Sequence, residues 1–450
     1  MNERLPELKI IGHSTGAVGE VTNAAKILQI ARKHGIRASL HDLYHALDVS
    51  EAELNSVSDY HWKRLNRGGV VKSAEEINET GARANAMRIR AGIKSLVDPH
   101  APPGQQVAYL ITMPWRQIGV IASGITQEMP AISRYYPTKV EHSNAYAKAL
   151  SAAHVVSTIS PTGLLSAERI GIPAWKTILI QHSYPPEADA LYKTSEEERR
   201  EGRKRLIERV AAEMGKHVRM PRNAVLFASI NRLVPEKNQV QLIRAFRKIA
   251  AAHPNAFLLI KDEGWRTEHE REEFERLVEE VKDEPWFLWD KTRTPFPEVL
   301  RTHHLAADVM VNVSGSEGAA TNLIEAAALG KPILTLDATT HPHLFKDAAL
   351  FAKSTAERRI GQVFSAGVDE EDLAKKLSLL AKDEGLREDL GRRARSAAVR
   401  HFSRETVGRK VEVAVQAARA FHSGTAEERE KYRRLLEQMR EEDLRLFGLK

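Results

Sequence analysis

Short apolar runs alternate with helical segments along most of the chain, and this alternation restricts the possible folds more than any other sequence feature. Near the amino terminus, Leu8 to Gly12 is typical of a strand, and apolar residues at helical spacing follow between positions 24 and 31. A second strand is indicated from Ile36 to Leu40. A strand, a helix and a strand within about 35 residues form a βαβ unit, which predicts a parallel α/β sheet.

The same alternation restarts after Pro221 and continues for more than a hundred residues. The runs are rich in β-branched and large apolar residues and are bounded by proline and glycine, which is typical of a doubly wound sheet. The predicted strands are 224–230, 257–261, 286–289, 309–313 and 332–336. The predicted helices between them are 239–252, 268–281, 297–306 and 322–329.

The chain has 450 residues, which at roughly 100–200 residues per domain predicts two or three domains. A charged helix from Thr194 to about Gly215, followed by Pro221, marks the first boundary, so we assign domains to 1–220 and 221–400. The remaining 401–450 segment is helical in pattern. Its thin apolar stripe favours a packed amphipathic helix over a coiled coil that binds a partner.

Composition narrows the functional classes. Cysteine is absent, which excludes disulfides, thiol nucleophiles and cysteine-based zinc sites. No long apolar run and no export signal stand out, so we expect a cytoplasmic protein without a transmembrane helix. The net charge is +7, and 61–94 holds eight Lys or Arg against three Glu, as expected for a solvated helix face or an anionic partner.

Two cations follow the first strand of the second half. Arg232 and Lys237 lie five residues apart, between a strand that ends near Ile230 and the next helix. In an open α/β sheet, ligands bind at the carboxyl ends of the strands. Arginine binds phosphate oxygens in a bidentate manner and lysine adds a point charge, so a pyrophosphate is the expected ligand. A surface loop with two solvated cations is the alternative.

Two glutamates flank the start of a later helix. Glu317 lies in the loop after the 309–313 strand, and Glu325 lies within an Ala- and Leu-rich helix. Between them, the small residues Gly318, Ala319 and Ala320 allow backbone N–H groups to approach an anion at the positive end of the helix. Thr321 and Asn322 complete this turn. Carboxylates beside such a site are suited to binding the hydroxyl groups of a sugar.

These segments resemble two elements of the group 1 retaining glycosyltransferases, which have the GT-B fold. The segment 229–238 is similar to their GRL-x-x-x-K element, and 316–332 is similar to their E-x7-E element. They occur in the family's order, about 80 residues apart, and the likeness extends from about 222 to 415. Phe402-Ser403 resembles the point where the family's last helix crosses back to the N-terminal domain.

The resemblance implies two Rossmann-like doubly wound domains that face each other across a cleft. The first would bind the acceptor and the second a nucleotide-sugar, such as a UDP- or GDP-sugar. Arg232 and Lys237 would hold the diphosphate, Glu317 the sugar hydroxyls and Glu325 the ribose. The sugar would be transferred with retention of configuration, and the family's chemistry requires neither a metal nor another cofactor.

The chain departs from the family pattern at three places. Asn231 stands where the family usually has glycine, and Ala319 and Ala320 stand where it has an aromatic residue or glycine. Lys261 to Gly264 replaces the usual Gly-x-Gly after the second strand of this half. The sequence therefore names neither the sugar nor the base.

The first half supplies weaker candidates. Gly16 and Gly19, after Gly12, fit the glycine-rich loop of this family. The competing interpretation is a dinucleotide-binding loop, but the spacing of these glycines is not G-x-G-x-x-G. Glu128 is the candidate catalytic residue of this half, and His13 is a second one. Each of the two is also compatible with a bystander role.

Several alternatives remain open. The basic 61–94 region is compatible with an anionic acceptor, which could be a nucleic acid, a lipid phosphate or a glycan. A nucleotide-sugar epimerase or a glycan phosphorylase would use a related fold. A non-catalytic binding module or subunit is a third possibility, and the sequence leaves the oligomeric state open.

Overall fold

The structure is a computed structural model in which two compact units are described. The first unit holds the described residues up to His182 together with Arg404–Lys450, and the second holds Ser183–Ser403. The described residues are 7–12, 27–42, 106–111, 130–135, 150–262, 268–292, 294, 298–360 and 363–450. The basic region 61–94 and the predicted site residues His13, Gly16, Gly19 and Glu128 lie outside them.

Strands alternate with helices through both units. The strands are β1 (Glu7–Gly12), β2 (Ala38–Asp42), β3 (Gln106–Ile111), β4 (Ala131–Tyr135), β5 (Val155–Thr158), β6 (Thr177–Leu179), β7 (Val225–Asn231), β8 (Ala256–Asp262), β9 (Phe287–Asp290), β10 (Val309–Asn312), β11 (Ile333–Leu336), β12 (Leu350–Ala352), β13 (Ser354–Ile360) and β14 (Val363–Val368). The labelled helices are α1 (Pro161–Arg169), α2 (Glu187–Leu191), α3 (Glu196–Glu213), α4 (Gln239–Ala250), α5 (Glu268–Val281), α6 (Thr321–Ala328), α7 (His341–Phe345), α8 (Glu370–Lys382), α9 (Glu384–Phe402), α10 (Arg404–Ser423) and α11 (Ala426–Leu446). Residues 27–33 are also helical.

The first unit is built on a parallel sheet in the order β2-β1-β3-β4-β5-β6. The helices α10 and α11 belong to this unit although they come last in the chain, and α10 contributes Val407, Val411 and Val415 to its core. Gly408 of α10 permits a close approach, since a Cβ atom there would overlap the ring of His34. The C-terminal segment is therefore a packed part of the first unit.

The second unit has a parallel sheet in the order β12-β11-β10-β7-β8-β9. The chain enters at the middle strand β7, adds β8 and β9 on one side, and then returns to place β10 on the other side. This is the strand order of a doubly wound nucleotide-binding fold, and the direction of winding reverses between β7 and β10. The predicted fold class, two Rossmann-like α/β domains of the GT-B type, is confirmed.

Burial explains why these segments form central strands. Every residue of β7, β9, β10 and β11 is buried, as expected for a parallel sheet covered on both faces. Phe227 of β7 packs edge-to-face on Phe246 of α4, which stacks on Trp286 at a centroid distance of 5.4 Å. The antiparallel hairpin of β13 and β14 was not predicted from the sequence.

The division of the chain differs from our predicted boundary after residue 220. The charged helix α3 belongs to the second unit, because its Arg203 is buried against that sheet. Its guanidinium donates to the carbonyl of Ala306 at 2.9 Å and to the carboxylate of Asp308 at 2.6 Å. None of the described helices combines the length and apolar character that crossing a bilayer requires.

Candidate functional site

The two predicted cations and the two predicted glutamates lie at the reversal point of the second sheet. They follow the carboxyl ends of β7 and β10, which are adjacent parallel strands. Asn322 links the two ends, because its amide nitrogen donates to the carbonyl of Ile230 at 2.8 Å. Its amide oxygen accepts from Asn312 at 3.1 Å and from the backbone of Leu323 at 2.9 Å. The edge is thus a preorganised surface where such folds bind ligands.

The first segment presents its two cations differently. Arg232 is exposed directly after β7, whereas Lys237 is buried at the end of a 3₁₀ turn formed by Pro235–Lys237. Asn238 then adopts a left-handed backbone with φ of 52°. Its side chain donates to the carbonyl oxygens of Val313 at 2.9 Å and Ala366 at 3.1 Å. These bonds hold the Lys237 turn against the loop that follows β10.

The loop after β10 can follow this path only with glycine at position 315. The N–H of Gly315 donates to the carbonyl of Glu236 at 2.8 Å, and its carbonyl accepts from Ala366 at 3.0 Å. A Cβ atom at Gly315 would overlap the carbonyl oxygen of Ala366. The close approach aligns the two segments that carry Lys237 and Glu317.

The ammonium of Lys237 and the carboxylate of Glu317 form an ion pair. Their side chains are 10% and 16% exposed, so water screens the pair only partly. Burial alone would raise the pKa of Glu317, but the adjacent Lys237 charge and hydrogen bond outweigh it, and the pKa lies below its ordinary value. Glu317 is therefore a carboxylate at neutral pH, with the Ser314 hydroxyl at 3.4 Å from it.

The amino terminus of α6 faces the end of this loop. Ala320 occupies the N-cap position, and its methyl side chain cannot accept a hydrogen bond from the first turn. The N–H groups of a first helical turn carry partial positive charge and bind anions. The small residues Gly318 and Ala319 precede this turn, as the sequence indicated.

Glu325 lies inside α6 and is buried. Its carboxylate oxygen is 3.7 Å from Nε2 of His304, a buried histidine in a π-helical turn at Leu300–His304. Burial, opposed in part by the charge of Glu325, lowers the pKa of His304 below its ordinary value. Glu325 thus lies next to a ring that is neutral at neutral pH.

The loop after β11 brings residues that the sequence reasoning missed. Thr340 donates to the carbonyl of Gly318 at 3.2 Å, and His341 is fully buried. Burial lowers the pKa of His341 to about 4, and the Lys237 charge acts in the same direction while that of Glu317 opposes it. The position of this loop directly after a predicted strand was the available signal, because such loops lie at the ligand edge.

The backbone of that loop is strained at Thr339, which has a φ of 62°. A β-branched residue is disfavoured in this region, and strain of this kind clusters at functional sites. Of the three described non-glycine residues with positive φ, two, Asn238 and Thr339, lie in the segments that build this site.

Lys261, the first residue of the segment that replaces the expected Gly-x-Gly, and Asp290 of β9 both have structural roles. Lys261, at the end of β8, is buried and donates to the carbonyl of Thr292 at 2.6 Å. Asp290, at the end of β9, contacts His303 at 2.6 Å and Arg209 at 2.7 Å. Burial by itself would raise the pKa of Asp290, but these partners bring it well below its ordinary value. The two residues anchor the loop that follows β9.

The structure therefore brings together Lys237, Glu317, the 318–320 turn and α6, with Arg232 exposed at the rim of the same edge. Glu325 lies one helical turn beyond Thr321, against His304. Among the described residues, no group of three or more His, Asp or Glu side chains is arranged to hold a metal ion. This combination of cations, carboxylates and an open helix terminus is the pattern of a phosphate- and hydroxyl-binding site.

Part of the second unit is similar in sequence to a known protein family. Residues 213–397 match the family model described as Glycosyl transferases group 1. This segment contains both candidate motifs. No curated protein sequence matches the chain.

Solved structures with low sequence identity share the fold. HepE from Anabaena, in complex with UDP and glucose, is 14% identical with a TM-score of 0.60, covering 90% of this chain and 97% of that one. A glycosyltransferase from Rickettsia africae is 12% identical with a TM-score of 0.65, covering 92% and 99%. A UDP-forming α,α-trehalose-phosphate synthase from Burkholderia vietnamiensis is 11% identical with a TM-score of 0.62, again covering 92% and 99%.

Proposed function

We propose that the protein is a glycosyltransferase that moves a sugar from a nucleoside-diphosphate sugar to an acceptor, with retention of configuration and without a metal. The observation that carries the proposal is the meeting of Lys237, Glu317 and the open terminus of α6 at the reversal point of the second sheet. A nucleotide-sugar offers a diphosphate and hydroxyl groups side by side, which suits this mixture of charges.

Each residue has a chemical task in this proposal. Arg232 and Lys237 hold the diphosphate, and the N–H groups from Gly318 to Asn322 bind its remaining oxygens. Glu317 accepts hydrogen bonds from the sugar hydroxyls, and Glu325 accepts them from the ribose. His304 lies 3.7 Å from the Glu325 carboxylate.

Catalysis rests on stabilising the leaving group. When the bond between the sugar and the diphosphate breaks, negative charge accumulates on the diphosphate. In this proposal the bound diphosphate is already surrounded by the Arg232 and Lys237 charges and the helix terminus when the bond breaks, so that step needs little reorganisation. In this proposal, Arg232 and Lys237 stabilise the leaving diphosphate, as a divalent metal does in other transferases.

The choice of donor to test first follows from the relatives. HepE binds UDP and glucose, and the trehalose-phosphate synthase is UDP-forming, so UDP-sugars come before GDP- and ADP-sugars. The acceptor is proposed to be anionic, because the chain carries a net charge of +7.

The experiment measures release of nucleoside diphosphate from each donor, with water alone and with panels of glycans, anionic lipids and RNA. We expect turnover by the wild type and its loss in Lys237→Ala and in Glu325→Ala, with folding checked by circular dichroism. Lys248→Ala and Glu371→Ala, on the exposed faces of α4 and α8, are the matched controls and retain activity. Undiminished turnover in both site variants would refute the proposal.

A further inference from the structure

The ion pair between Lys237 and Glu317 has a consequence for which ligands the site retains. Among the described residues, Glu317 is the hydrogen-bond acceptor that the Lys237 ammonium contacts. Under the proposed function, the same ammonium binds the donor diphosphate. The ammonium has three N–H donors, but its single positive charge cannot fully compensate both Glu317 and a diphosphate in this partly buried position. Donor binding must therefore weaken the pair.

The other hydrogen-bond donor at Glu317 among the described residues, Ser314, cannot replace Lys237. The Ser314 hydroxyl has one proton, and three acceptors surround it: the carbonyls of Ser316 at 2.9 Å and Glu236 at 3.3 Å, and the Glu317 carboxylate at 3.4 Å. The shortest of these bonds goes to Ser316. Once Lys237 turns to a diphosphate, Glu317 retains at most a weak share of one neutral hydrogen bond. The charge of Arg232 also acts on Glu317, but under the proposed function it is shared with the diphosphate as well.

A partly buried carboxylate that has lost its cationic partner raises the free energy of the complex. The Glu317 side chain is only 16% exposed, and a diphosphate would bring further negative charge to the same edge. An intact nucleotide-sugar compensates, because its sugar hydroxyls donate to the carboxylate that Lys237 has left. A spent nucleoside diphosphate has no such hydroxyls at that position.

We propose that Glu317 makes the site discriminate between an intact nucleotide-sugar and the nucleoside diphosphate left after transfer, by competing with the diphosphate for Lys237. The intact donor replaces the partner that Glu317 loses, whereas the spent diphosphate does not. Loss of the sugar therefore weakens binding, Lys237 returns to Glu317, and the product leaves. This inference rests on the proposed function, since it requires a diphosphate at Lys237.

The test compares the affinities of UDP and UDP-glucose by isothermal titration calorimetry, with the corresponding GDP pair measured if UDP-sugars do not bind. The wild type should bind the sugar nucleotide more tightly than the diphosphate. Glu317→Gln removes the charge and keeps the size of the side chain. It should bind the diphosphate at least about tenfold more tightly than the wild type, because like charges in a shared site repel strongly. The preference for the intact donor should shrink accordingly.

Two further variants keep the test decisive. Glu317→Ala removes the same charge and gives an independent measurement should the Gln variant not fold. Glu371→Gln, a glutamate whose side chain is 72% exposed, controls for a change in net charge and should leave both affinities unchanged.

Each outcome has a distinct meaning. An unchanged preference in folded Glu317→Gln or Glu317→Ala, with both ligands bound, overturns the inference and leaves the donor site standing. Failure of the wild type to bind any diphosphate or sugar nucleotide overturns the proposed function, and the inference with it.

Discussion

The strongest stability prediction concerns the removal of Lys237. Lys237→Met keeps the aliphatic stem and deletes the ammonium, which leaves the Glu317 carboxylate with the Ser314 hydroxyl at 3.4 Å and the charge of the exposed Arg232. Breaking a fully buried ion pair in this way costs about 3–5 kcal/mol. Because the two side chains are 10% and 16% exposed, we expect a loss of about 2–3 kcal/mol in the free energy of unfolding.

The companion variants separate the charge effect from packing. Glu317→Gln combined with Lys237→Met removes both charges of the pair, so the double variant should be more stable than Lys237→Met alone. Lys248→Met is the matched control, because Lys248 pairs with Glu371 at the surface, and it should leave the unfolding curve unchanged.

The assay is urea unfolding at pH 7, followed by tryptophan fluorescence. Trp286 and Trp289 are buried in the core of the second unit and report on it. A loss below about 0.5 kcal/mol for Lys237→Met, with simple additivity in the double variant, would show that the pair does not hold Glu317 and would refute the reasoning.

Three further predictions concern the surrounding loops. Gly315→Ala should destabilise the second unit by more than about 2 kcal/mol because its Cβ overlaps a backbone carbonyl, whereas Gly202→Ala, with open space around it in α3, should be neutral or stabilising in urea titrations. Thr339→Gly should raise the thermal midpoint, since it relieves a φ of 62° and removes a buried hydroxyl that has no hydrogen-bond partner among the described residues; a lowered midpoint would contradict this. Burial lowers the pKa of His341 from 6.5 in the unfolded chain to about 4 in the folded protein. The neutral ring therefore contributes fully to the stability of the fold above pH 6.5, and this contribution is lost as the pH falls towards 4. His341→Gln should remove up to about 3 kcal/mol of the pH dependence of the free energy of unfolding. Identical stability profiles against pH for the variant and the wild type would contradict this role of His341.

The sequence predicted the second sheet closely because its strands are buried on both faces. Val225–Asn231 and Ile333–Leu336 each begin and end within one residue of the predicted strands, since apolar runs bounded by proline and glycine permit few alternatives. The helical pattern predicted for 401–450 was correct in α10 and α11 for a related reason, namely their regular apolar spacing.

Features that depend on tertiary contacts could not be predicted. Lys237 and Glu317 are 80 positions apart, and only the folded β7–β10 junction reveals that they pair. His341 carried no motif, and its role follows from burial beside Glu317 and Lys237. The charged helix α3 was predicted to mark a domain boundary. Its hydrogen bonds to Ala306 and Asp308 could not be inferred from the composition of the segment.

The most direct test of the central claim locates the donor on the chain. Hydrogen–deuterium exchange, read by mass spectrometry with and without UDP-glucose and then with other sugar nucleotides, reports protection peptide by peptide. The account predicts slower exchange in 231–238 and 314–325, the segments after β7 and β10, and weaker protection in Lys237→Ala. A bound sugar nucleotide that protects other segments and leaves these two unchanged would contradict it.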